Sequence, residues 1–137
     1  QPEHRAVQSL PILAEVQTAE QAVLCLQLEQ RLRKDDLFLD SNLTLNLLAR
    51  KAGTPARHIS RAINATYYCN VSQWINGFRI RHAQQLLSSS SLSVTEVMLA
   101  SGFTTKSNFN REFLRISGLT PSAFRQQANL AKPPEIP

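Results

Sequence analysis

The sequence predicts an all-α fold of seven helices and no sheet. Apolar residues return every three or four positions through most of the chain, and no segment sustains an apolar–polar alternation. Capping-box pairs occur twice, as Thr18 with Gln21 and Ser93 with Glu96. Glycines stand where three of the periodic runs stop, at Gly53, Gly102 and Gly118.

Residues 1–17 contain Pro2 and Pro11 without a sustained period and read as a linker or disordered extension. Thr18 then predicts the start of a first helix that places Leu24, Cys25, Leu28 and Leu32 on one face to about residue 34. Leu37-Phe38-Leu39 follows as an apolar plug. Thr44 is the expected N-cap of a second helix, with Leu45, Leu48 and Ala49 on one side and Gly53 closing it. Pro55 suits the first position of a third helix that turns Ile59, Ala62 and Ile63 inward. The fourth helix, about 71–88, carries the longest stripe: Val71, Trp74, Ile75, Phe78, Ala83, Leu86 and Leu87. Gly77 inside it costs roughly 1 kcal/mol relative to Ala and is expected to mark a close helix contact. Ser93 starts a fifth helix, a sixth over about 106–116 buries Phe109, Phe113 and Ile116, and Pro121 opens a short seventh through Phe124. Residues 129–137 read as a disordered tail.

Two segments repeat at a spacing of 50. Ile59-Ser60-Arg61-Ala62-Ile63 and Phe109-Asn110-Arg111-Glu112-Phe113 share the pattern apolar, polar, Arg, any, apolar, each after a short helix and a glycine-containing turn. That describes two helix-turn-helix units, at about 44–65 and 93–117, joined by the long linker helix. In such a unit the second helix buries its apolar face and offers the polar one to the major groove of DNA. Charge distribution agrees: residues 1–40 hold four basic groups against seven acidic ones, a net of −3, whereas 41–132 hold eleven against two, a net of +9. A basic body of this kind suits a polyanion. The linker helix of about 17 residues is roughly 25 Å long, and with the domain at each end included it can hold recognition helices about 34 Å apart, one turn of duplex.

Over residues 43–125 the chain resembles the DNA-binding domain of the AraC/XylS family of bacterial transcription regulators. The resemblance rests on Gly102-Phe103, on Phe109, Arg111 and Phe113, on Gly118-Leu119-Thr120-Pro121 and on Phe124-Arg125. The run 70–76, Asn-Val-Ser-Gln-Trp-Ile-Asn, together with Arg79, Ala83, Leu86 and Leu87, is similar to the family's linker helix. It places an AraC-type domain at 18–128 and implies sequence-specific binding of promoter double-stranded DNA, usually as an activator, with RNA polymerase as a further partner. By position, Arg57, Ser60, Arg61 and Asn64 are the expected DNA-binding residues of the first unit, and Lys106, Ser107, Asn110 and Arg111 those of the second. Arg pairs with guanine and Asn with adenine in a bidentate manner, while Lys106 and Ser107 suit phosphate as well as base. Arg79 and Arg125 match family positions and read either as DNA contacts or as partners of carbonyls and ion pairs. Met98 replaces the family's usual small Ala at a helix crossing, and Ile63 stands where the first motif often has Phe.

At 137 residues and 42% apolar content the chain suits one domain with a modest core. Cys25 and Cys69 are too few for a disulfide scaffold and fit a reducing compartment. His4, His58 and His82 lack metal-ligand spacing, and no Ser–His–acid grouping or phosphate-binding glycine loop occurs, so neither enzyme, metal nor cofactor is expected. His58 reads as a phosphate contact or a solvated imidazole, His82 as packed or capping. No stretch approaches eighteen apolar residues. Gln1 in place of Met, with no signal pattern after it, suggests a fragment of a longer protein. Its effector or sensor domain is expected outside the fragment, in the cytoplasm or anchored to a membrane, and the module alone is expected to be a monomer.

Overall fold

The computed structural model describes residues 2–133, with side chains from residue 12 onward. Within them lie seven α-helices, one 3-10 segment and no strand. They are α1 (Pro2–Arg33), α2 (Leu45–Ala52), α3 (Ala56–Tyr67), α4 (Val71–Ser89), α5 (Val94–Ala100), α6 (Lys106–Ser117) and α7 (Pro121–Ala131), with the 3-10 segment at Lys34–Leu39. The chain forms two compact units. One takes residues up to Leu37 with Leu43–Trp74, the other Phe38–Asn42 with residues from Ile75 onward.

In the first unit α3 packs against both α1 and α2. Cys25, Leu28 and Leu32 of α1 are buried, as are Leu48 of α2 and Ile59, Ala62 and Ile63 of α3. Thr44 caps α2 by accepting from the Leu47 amide at 3.2 Å, and Gly53 closes it in the left-handed conformation at φ 64°. Arg31 of α1 donates to the Lys51 carbonyl at 2.5 Å, placing a cation where the last turn of α2 exposes its oxygens. Tyr67 stacks on Trp74 with ring centres 6.1 Å apart.

The second unit has its core in Ile80, Ala83, Leu87, Val97, Met98, Phe103, Phe109 and Phe113. Four aromatic rings run through it: Phe103 on Phe109 at 5.2 Å, Phe109 on Phe113 at 5.7 Å, and Phe113 on Phe124 at 5.5 Å. The expected capping box is present, with the Ser93 hydroxyl accepting from the Glu96 amide and the Glu96 carboxylate accepting from the Ser93 amide. Residues 38–42 are a strap on this unit. Buried Phe38 meets Phe78 and the edge of His82, and Arg79 holds the strap's backbone.

Several expectations need correction. Residues 2–17 are helical, not an extension. Ala14, Glu15, Gln17 and Ala19–Ala22 are mostly strong helix formers, and they carry the helix back from the anchored turn around Cys25 although all but half-buried Gln21 are exposed. Thr18 is therefore no N-cap: its hydroxyl donates to the Ala14 carbonyl at 2.8 Å inside the helix. Pro55 is the residue before α3, with extended ψ 137°, and not its first helical position. Gly77 marks no close contact, since a Cβ there would meet nothing within 4 Å. α4 runs into the serines, where the hydroxyls of Ser88, Ser89 and Ser90 donate to the carbonyls four residues back. α7 continues to Ala131, so residues 129–131 of the expected tail are helix, while 134–137 lie outside the described residues. Met98 is absorbed into the core at 5% exposure.

Candidate nucleic-acid interface

The first helix-turn-helix is α2, the turn at residues 53–55, and α3. Ile59, Ala62 and Ile63 anchor α3 from below. Arg57, Arg61 and Asn64 then stand exposed on the opposite face, with Ser60 half-buried among them. Their spacing of 0, 3, 4 and 7 puts all four on one stripe. Among the described residues Arg57 and Arg61 enter no ion pair. His58 is exposed beside them, and with Arg61 it lines a groove of about 420 Å³ whose other wall is Gln17, Glu20, Gln21 and Leu24 of α1.

The second helix-turn-helix is α5, the turn at 101–105, and α6. Gly102 makes this turn possible. Its φ of 91° is left-handed, and a Cβ on it would lie 2.9 Å from the Leu39 carbonyl oxygen of the strap. Phe109 and Phe113 bury the inner face of α6, leaving Lys106, Ser107, Asn110 and Arg111 exposed. Thr105 caps the helix by accepting from the Asn108 amide at 3.3 Å. Lys106, Asn110 and Arg111 also line a groove of about 640 Å³ over Met98, Phe109 and Pro121.

The two faces are prepared differently. Arg111 donates through Nη2 to the Asn108 side chain at 2.7 Å, and its Nε lies 4.0 Å from the Glu112 carboxylate. Glu112 is itself buried and accepts from Arg115 at 2.6 and 3.0 Å. The guanidinium of Arg111 is thus braced while 70% of its side chain stays open. Its remaining N–H groups are free to form the two parallel bonds that guanine accepts. The repeat pattern singles out Arg111 but not its braces; the signal for them was the three-residue spacing of Asn108–Arg111 and Glu112–Arg115.

The two arginines left open by the sequence are both structural. Arg79 is 8% exposed and donates to the Phe38 carbonyl (2.7 Å), the Asp40 carbonyl (2.7 Å) and the Asn76 side chain (3.3 Å). Burial lowers its pKa and nearby Asp40 opposes that shift. Arg125 donates to the carbonyls of Leu87 (3.1 Å) and Ser90 (3.4 Å) at the end of α4. His82 is packed against Phe38, as one of its two readings had it.

A helix-turn-helix domain family profile matches residues 48–127, more than half of the chain. The virulence regulon transcriptional activator VirF of Yersinia enterocolitica is 31% identical over 108 residues, covering 76% of this chain and 37% of that protein. The chain spans about a third of the length of the curated relatives it matches. An AraC-type transcriptional regulator from Chromobacterium violaceum superposes with a TM-score of 0.69 at 22% identity, over 81% of this chain and 99% of that one. The DNA-binding domain of the global transcriptional factor AdpA, solved with a target DNA, does so at 0.61 and 26% identity, over 82% and 93%. These relatives are DNA-binding regulators and not enzymes. From the repeated helix-turn-helix, the linker helix and these matches, the chain belongs to the AraC-type family of helix-turn-helix DNA-binding domains.

Proposed function

We propose that this chain is the DNA-reading part of a sequence-specific transcription regulator that acts on promoter duplexes. The observation that carries the reading is the pair of matched helices, α3 and α6, each with an apolar face buried and a face of Arg, Asn, Ser or Lys open to solvent. In the proposal α3 enters one major groove with Arg57, Ser60, Arg61 and Asn64. α6 enters the next with Lys106, Ser107, Asn110 and Arg111, one helical turn along the duplex. Arg61, Arg111 and Asn110 read base edges, and Lys106 and Ser107 fix register on phosphates. Activation through RNA polymerase is part of the reading, supported by relatives that are named activators. So is a sensor domain elsewhere in the full protein, in keeping with the share of its relatives that the chain spans. We place the domain in the cytoplasm, with anchoring of the whole protein left to that other part; among the described residues no helix is long and apolar enough to cross a membrane.

Selection of bound duplexes from a random pool, followed by hydroxyl-radical footprinting, tests this. Two protected stretches centred one helical turn apart are expected on a selected site. Enrichment of no sequence, or protection over a single groove, overturns it.

A further inference from the structure

The fourth place on the outer face of α6 is held by a side chain that makes no hydrogen bonds. In α3 the stripe runs Arg57, Ser60, Arg61 and Asn64. Moved along by the repeat spacing of 50, the same stripe in α6 is Ser107, Asn110, Arg111 and Leu114. Leu114 is 52% exposed, whereas the core of its unit takes Phe109 and Phe113 from this helix and has Ile116 packed against it. A single exposed leucine is ordinary on a protein surface. Its place sets this one apart, because it lines the same groove as Lys106, Asn110 and Arg111.

We propose that Leu114 reads the C5 methyl of a thymine in the major groove that α6 enters. The inference rests on the duplex-binding reading above and adds to it a residue that determines specificity. Base edges in the major groove present donors, acceptors and one apolar group, the thymine methyl. Arg, Asn and Ser serve the donors and acceptors. Leu can serve only the methyl, and contact between the two removes apolar surface from water. Cytosine at that place is penalised twice. It lacks the methyl, and its N4 amino group loses water without gaining an acceptor from Leu114. The two half-sites therefore differ in kind at this position, since the equivalent place in α3 carries the amide of Asn64.

Helix geometry limits where the thymine lies. Leu114 is three residues beyond Arg111, or about 4.5 Å along the axis. One base pair advances about 3.4 Å along the duplex. With α6 lying along the groove, the thymine falls within about two base pairs of the position where Arg111→Ala relaxes preference.

Replacing each thymine of a selected site by deoxyuridine, which pairs with adenine in the same way but lacks the methyl, tests this by fluorescence anisotropy. At one position near the Arg111 contact the full chain should bind the deoxyuridine duplex about fourfold more weakly, the worth of one buried methyl-sized group. Leu114→Asn should bind the two duplexes equally, while Leu114→Met, still apolar, should keep most of the difference. The ratio of the two affinities cancels any loss of folded protein, so a purely structural role for Leu114 would leave it near four in every variant. A selected site with no thymine in reach, a parent chain indifferent to the methyl, or a Leu114→Asn chain that keeps the ratio would each overturn the proposal and leave duplex recognition standing. Failure to select any site would overturn both.

Discussion

Arg61 and Arg111 hold the same place in the two repeats but would meet a duplex from different states. Arg61 lines an open groove and is unbraced by any ion pair among the described residues, whereas Arg111 is already oriented by Asn108. Alanine at either position should cost about 1–3 kcal/mol on a selected site and relax preference locally. Asn108→Ala should cost less, about 0.5–1 kcal/mol, because it removes only the brace. Fluorescence anisotropy on selected and random duplexes checks this; equal losses on both would reassign the arginines to phosphate. Arg79 makes a contrasting case. Arg79→Lys keeps the charge but cannot span the carbonyls of Phe38 and Asp40 with a planar fork, so about 2 kcal/mol of stability in urea should be lost. Helical period alone identified which residues of α3 and α6 face out. It could not assign Arg79, because its carbonyl partners lie 39 and 41 positions back in the chain.

At the level of elements, short-range chemistry was legible and long-range support was not. Thr44, Gly53, Ser93, Glu96 and Gly118 act within a turn of themselves, and each helix end they mark stands where the sequence puts it. Ser93→Ala should therefore cost about 1 kcal/mol, read as a fall in the thermal midpoint. α1 and α7 overran their expected limits because nothing local stops them. Their exposed turns extend from a buried anchor, back from Cys25 and Leu28 in α1 and onward from Pro121 in α7. Pro11 suggested a break, yet the helix passes through it and loses one backbone donor there. Gly102 was legible as a turn residue but not as a close approach. The Leu39 carbonyl that forbids a side chain belongs to a strap more than sixty residues earlier. Gly102→Ala should thus destabilise by more than the ~1 kcal/mol of an ordinary left-handed site, because the strap must also move. A control at Gly53, where a Cβ would meet nothing within 4 Å, separates the two contributions.

Across the whole molecule the charge imbalance is the feature with the largest consequence. Residues 41–132 hold eleven basic groups, and two of them, Arg79 and Arg125, are committed to backbone carbonyls. Arg115 is engaged with Glu112, Arg81 of α4 lies over the Phe78 ring at 4.7 Å, and Lys132 lies beyond the end of α7, so the six remaining cations are on α2, α3 and α6. If these neutralise about six phosphates between them, affinity should fall about 10³-fold from 50 to 200 mM salt. The slope separates roles that a single affinity cannot. Lys106→Ala should reduce the slope of log K against log salt by about 1 and weaken all duplexes alike. Arg79→Lys, measured where the protein remains folded, should leave the slope unchanged, since the guanidinium is buried against the carbonyls of the strap. A slope near zero for the parent chain would mean that the +9 of this body is a solvated surface and that polyanion binding is not what it serves.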